Sequence, residues 1–178
     1  MSIPIKNSHE IEKMRLSCRA ASDVLERTGA LVQPGVTTGE IDRAAASFMR
    51  EASAKSAFLN YRGFPGNICI SVNDEVVHGI GGSRRIQYGD IVKLDIGVVF
   101  NGWVGDTATT IPVGVIEPAV QRLLQVTEDT LHMAIGYATE TETILVTTGN
   151  TSKAGDAGLV RLQSTLLPTS PTSQPRPT

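Results

Sequence analysis

Cysteine is nearly absent: Cys18 and Cys69 are the 2 in a chain of 178 residues. That is too few for a disulfide framework, so reduced thiols in a cytoplasmic setting are expected. No sign of charge dominates. With 16 Lys and Arg against 18 Asp and Glu, the net charge is −2, which leaves no basic surface for direct nucleic-acid or anionic-membrane binding. Long apolar runs are missing, so no segment is expected to cross a bilayer. A signal-peptide pattern is missing too, because Met1 leads through Ser2-Ile3-Pro4-Ile5-Lys6 into a charged helical pattern. No internal repeat is visible. The 40% of hydrophobic residues is ordinary for a soluble globular protein, and a cytoplasmic monomer is expected.

What is present falls into a helical part, a strand-rich part and a tail. From Ser8 to about Val32 the apolar residues Ile11, Met14, Cys18, Ala21, Leu25 and Val32 recur at steps close to the helical period, which predicts an amphipathic helix. Pro34-Gly35 ends it. Thr37 and Glu40 stand at capping-box spacing ahead of a second helix that would bury Ile41, Ala44, Ala45, Phe48 and Met49. From Ala57 the chain turns aromatic and Gly-rich. Asn67 to Val72 reads as a strand, Asn73-Asp74 as a turn, and Glu75 to His78 as another extended piece. Asp90 to Phe100 and Trp103 to about Val113 flank Asn101-Gly102, the strongest two-residue hairpin signal. A third helix is expected from Pro118. After about Ala138 the composition shifts to Thr, Ser and Pro, and the last ten or so residues are expected to be disordered. His9 and His132 are expected to face solvent, and Arg84-Arg85 to form a short charged loop.

The hairpin brings chemistry into view. With a two-residue loop, Phe100 pairs with Trp103, Asp95 with Ala108 and Gly97 with Asp106. Asp95 and Asp106 then share one sheet face as diagonal neighbours, roughly 7–8 Å apart at the backbone and less at the side chains. A lone Asp in a strand usually faces solvent, and Asp95 alone, among Ile91, Val92, Leu94, Ile96 and Val98, would carry that reading. A second carboxylate on the same face reverses it, since like charges repel unless a proton or a cation lies between them. Cys69, Tyr61, Phe64 and His78, taken singly, read as core or structural residues.

Two stretches resemble the type I methionine aminopeptidases. Asn67-Ile68-Cys69-Ile70-Ser71-Val72-Asn73-Asp74-Glu75-Val76-Val77-His78-Gly79-Ile80 is similar to their histidine-bearing segment. Gly89 to Gly97 with Asn101 to Ala108 resembles their paired-aspartate hairpin. The likeness runs from about Ile5 to Ala138. It implies an α+β chain, half of a pita-bread fold, with an antiparallel sheet and helices packed on one face. Residues 1–138 would form the N-terminal half of a catalytic domain, and 139–178 a divergent low-complexity tail. The implied activity is removal of the initiator methionine from nascent proteins, with the N-terminal Met of such peptides as partner and ribosome association a further implication. Asp95 would bind one divalent ion and Asp106 would bridge two, with Co, Mn, Fe and Zn as candidates. His78 would be the catalytic and substrate-binding histidine, hydrogen-bonding near the scissile amide. Tyr61, Phe64 and Cys69 would line the pocket for the methionine side chain, where apolar walls and a sulfur suit a thioether.

In that family one histidine and two glutamates, all beyond the hairpin, complete the metal pair, whereas here no histidine follows His132. The composition change near Ala138 is expected to mark a truncated, frame-shifted or variant gene. Two other functions therefore stand beside the aminopeptidase: an inactive pita-bread remnant acting as an interaction protein, and a relative of the Xaa-Pro aminopeptidases.

Overall fold

A computed structural model describes residues 5–137, together with 144, 145, 163 and 164. The described elements fall into two compact units divided between Glu117 and Pro118. The tail expected over 139–178 lies outside the described residues except for those four positions.

The first unit opens with helix α1 (Ser8–Gly29) and helix α2 (Thr38–Glu51). Asn7 caps α1 in a capping box with Glu10, and Thr37 caps α2 in the same way with Glu40, so each helix begins where a side-chain oxygen satisfies an orphan N–H. Their packing is stapled by Arg27, which pairs with Glu51 and lies over the Phe48 ring, 4.1 Å from its centre. α2 buries Ile41, Ala45 and Met49 as its spacing predicts, with Phe48 packed at the margin. α1 meets expectation only in part: Ala21 is buried, Leu25 packs against the core and Val32 just past the helix is buried, but the earlier part of the stripe differs. Its buried stripe is Ser17, Ala21, Val24 and Thr28, while Ile11 and Met14 stay 41% and 37% exposed and Cys18 is exposed. The cause is close approach. A Cβ at Gly105 would fall 2.4 Å from the Ser17 carbonyl oxygen, so the helix backbone rests directly on the sheet there. Only the small-residue side of α1 fits such a contact.

The sheet contains β1 (Lys55–Ser56), β2 (Cys69–Val72), β3 (Ile91–Phe100) and β4 (Trp103–Pro112), all antiparallel to β3. β3 is central: β4 pairs along one edge, while β2 and β1 pair with successive stretches of the other. Val92, Leu94, Ile96 and Val98 point to the helices and are fully buried. The alternate residues Ile91, Lys93, Asp95 and Val99 are only half-buried on the opposite face. The helices thus cover one face of the sheet, as expected. Glu75 to His78 is a loop and no strand. Asn73 takes a left-handed backbone, φ +54°, and the Glu75 carboxylate accepts the Val72 N–H at 2.8 Å, which turns the chain out of the sheet.

The second unit contains α3 (Pro118–Tyr137) and two short antiparallel strands, β5 (Ile144–Leu145) and β6 (Gln163–Ser164). α3 starts at Pro118 as expected, and His132 on it is exposed, as is His9 on α1. No described helix is long and apolar enough to cross a membrane.

Candidate functional site

The site is set by one turn. Asn101 and Gly102 have φ of +50° and +80°, the two positive values that a tight type I′ hairpin requires and that Asn-Gly supplies at low cost. Register follows from the turn: Phe100 faces Trp103, Asp95 faces Ala108, and Gly97 faces Asp106. Asp95 and Asp106 therefore project from the same sheet face, diagonal to each other on paired strands. β2 extends the row on the far side, since Cys69 is the partner of Asp95. Asp95, Asp106 and Cys69 lie together on the face turned away from the helices.

Electrostatics agree with that proximity. Burial holds the Asp95 carboxyl above its ordinary range, the Asp106 charge pushes it further, and His78 opposes the shift. Burial likewise raises the Cys69 thiol to about 11, with Asp95 and Asp106 adding to it, so Cys69 is a neutral thiol at physiological pH. Neither aspartate forms an ion pair among the described residues. The lysine on their face, Lys93, donates instead to the Asn73 carbonyl at 2.7 Å.

His78 stands beside this pair in a left-handed backbone, φ +58°, a conformation that a non-glycine residue seldom adopts. Its neighbour holds it there. Gly79 accepts from Ile70 N–H at 2.9 Å and donates to the buried Ser71 Oγ at 3.0 Å. A Cβ at Gly79 would lie 2.1 Å from the Ile70 oxygen, so only glycine permits this docking.

Tyr61 and Phe64 occupy a shared loop, closed by Asn60 N–H donating to the Phe64 oxygen at 2.8 Å. Tyr61 is 62% exposed, with the Arg62 guanidinium 5.4 Å from its ring centre, and Phe64 is half-buried against Gly66. The structure thus puts Asp95, Asp106 and Cys69 on one sheet face, with His78 within electrostatic reach of Asp95, and leaves Tyr61 in an open position on the loop. Phe58, which no pattern in the sequence singles out, also belongs to the site. Its ring covers Gly97, where a Cβ would fall 2.4 Å from Cε1, so it walls the site directly beside the Asp106 row. A glycine inside a strand of β-branched residues was the available signal, because it marks close approach by another group.

Two carboxylates without a cationic partner suit a hard or borderline divalent ion, for which oxygen ligands are apt. Among the described residues no three His, Cys, Asp or Glu side chains converge to hold a metal. The donor set here is the aspartate pair.

A model of metallopeptidase family M24 matches residues 12–152 of the chain. Methionine aminopeptidase 1D, mitochondrial, of Dictyostelium discoideum is 43% identical over 134 residues, covering 75% of this chain and 33% of that protein. Methionine aminopeptidase 1 of Bacillus subtilis (strain 168) is 41% identical over 133 residues, covering 75% of this chain and 54% of that protein. The crystal structure of the methionine aminopeptidase from Thermotoga maritima superposes with a TM-score of 0.76 at 33% identity, over 79% of this chain and 57% of that one. The chain thus spans between a third and about half of the length of these curated relatives.

Proposed function

The chain belongs to metallopeptidase family M24, and from that membership we propose that it supplies the N-terminal half of a methionine aminopeptidase removing initiator methionine from nascent proteins. Its fold is half of a pita-bread domain, α+β with helices on one sheet face. The observation that carries the proposal is the same-face pair of Asp95 and Asp106 beside His78, without a lysine or arginine to neutralise it among the described residues.

Asp95 and Asp106 would hold the divalent ions, with Asp106 shared between two. The ions would supply Lewis-acid polarisation of the scissile carbonyl and an acidified water. His78 donates to the substrate near the scissile amide, from a backbone held fixed by Gly79 and Ser71. The Cys69 thiol is neutral, and burial widens that margin by raising its pKa to about 11, so it meets the methionine thioether without a charge to desolvate. Tyr61 and Phe64 complete that pocket from the adjoining loop, and Phe58 screens one side of it from water.

Release of free methionine from Met-Ala-Ser, with Mn or Co added and EDTA as control, tests the reading. The expected outcome is metal-dependent turnover that Asp106→Asn removes. No turnover at high protein concentration would sink it. A second reading, a remnant that acts as an interaction protein, is favoured by one observation, the lack of a three-donor cluster among the described residues. Turnover of an Xaa-Pro peptide in place of Met-Ala-Ser would instead favour an Xaa-Pro aminopeptidase relative.

A further inference from the structure

Helix α2 contributes more than a core face. Its Asp42 carboxylate accepts three hydrogen bonds from one short segment: the Asn67 backbone N–H at 2.8 Å, Asn67 Nδ2 at 2.7 Å and the Ile68 N–H at 3.1 Å. The next residue is Cys69. Gly81 packs against the stem of the same side chain, where a Cβ would fall 2.8 Å from Asp42 Cβ. One turn back along α2, the Thr38 hydroxyl accepts from Gly82 N–H at 2.9 Å, and Gly39 N–H donates to the Gly82 oxygen at 2.8 Å. The helix therefore grips two separate segments. One runs from the Tyr61–Phe64 loop into Cys69, and the other leaves His78.

The loop is tied at its opposite end as well. Ser56 Oγ donates to the Asn67 oxygen at 2.6 Å and accepts from Phe58 and Leu59 N–H, each at 3.0 Å. Asp42 forms no ion pair among the described residues, so its protein partners there are amide donors. Such charge-assisted bonds are shorter and stronger than neutral ones.

We propose that Asp42 is the positioning residue of the methionine side-chain pocket, fixing the Cys69 wall and the Tyr61–Phe64 loop to α2 and seating the segment that follows His78 against them. The proposal rests on the aminopeptidase reading above, because the pocket is defined by that substrate. Its geometric half, the clamp on Cys69, stands on the hydrogen bonds alone. Asp42 touches no reacting atom, so its loss should loosen substrate binding and leave the chemical step alone.

The experiment uses the whole chain carrying Cys18→Ser, which removes the exposed thiol and leaves Cys69 as the single reporter. Asp42→Ala is expected to speed iodoacetamide alkylation of Cys69 by about tenfold and raise KM for Met-Ala-Ser by about tenfold, with kcat within about twofold. Asp42→Asn keeps one acceptor oxygen and should fall between. A variant that melts cooperatively with Cys69 as protected as before would overturn the proposal, as would a drop in kcat at unchanged KM. If Asp42→Ala does not fold, Asn67→Ala removes one arm of the clamp, and the same two readings decide. Should the parent chain release no methionine, the aminopeptidase reading fails by itself, while Cys69 protection still reports whether Asp42 holds this segment.

Discussion

Asp95 carries the sharpest consequence at the level of a single residue. Its carboxyl is held above the ordinary 3.8 by burial first and by Asp106 second. A raised folded-state value means that the fold binds this proton more tightly than the unfolded chain does. The stabilisation is therefore present below pH 3.8 and is lost as pH rises through the raised value, so at neutral pH the ionised group is a cost. Asp95→Asn keeps the shape and removes the charge. In EDTA at pH 7 the variant should melt higher than the parent, by no more than about 1 kcal/mol, because water screens a half-buried carboxylate. At pH 3 the gain should vanish. Thermal melts at both pH values check this, and an Asn variant that melts lower at pH 7 would contradict the strain assigned to the pair. The residue pattern makes this pairing legible in the sequence, since Asn-Gly fixes the register and register fixes the face. Phe58 and Asp42 were not legible. An acid on a polar helix flank, or an aromatic in a loop, carries no periodic signature of what it will touch.

At the level of elements, the contact between α1 and β4 shows where pattern reading falls short. Hydrophobicity alone selects Ile11, Met14, Cys18, Ala21, Leu25 and Val32; Ala21 and Val32 are buried and Leu25 packs against the core, but Ser17, Val24 and Thr28 are buried where Ile11, Met14 and Cys18 are expected. Side-chain size decided it. A helix seated on a glycine comes close enough that only small residues fit between the backbones, and Ser17 gains a hydrogen bond from its Oγ to the Trp103 oxygen at 2.8 Å. The Glu75–His78 stretch has an extended pattern but forms no strand for a different reason: a left-handed Asn73 and a side-chain cap on Val72 turn the chain out of the sheet. Gly105→Ala tests the seating directly. Its methyl group would meet the Ser17 carbonyl oxygen at 2.4 Å and the carbonyl carbon at 2.5 Å, both helix backbone, so α1 must lift. The expected loss is about 1–3 kcal/mol in urea unfolding, with hydrogen-exchange protection falling in α1 and persisting between β3 and β4. A stability within about 0.5 kcal/mol of the parent would mean that the helix does not rest there.

For the molecule as a whole, the unit ending at Glu117 has its helices on one sheet face and its paired acids on the other, so any divalent ion bound by them is linked to folding. An ion that binds only the folded chain adds RT ln(1 + [L]/Kd) to its stability, about 2.7 kcal/mol at a hundredfold excess over Kd. The melting temperature should therefore climb with the logarithm of Mn concentration once past Kd, and EDTA should reverse the rise. Asp106→Asn should flatten that slope most, since the proposed bridging carboxylate serves both ions, whereas Asp95→Asn should remove only part of it. The metal-free baselines separate this from a general loss of structure: Asp95→Asn starts above the parent at pH 7, so a flattened slope in it reflects lost binding and not a weakened fold. Calorimetric titration supplies the independent count. Equal Mn uptake by parent and Asp106→Asn would remove Asp106 from the metal assignment even if every helix and strand is as described.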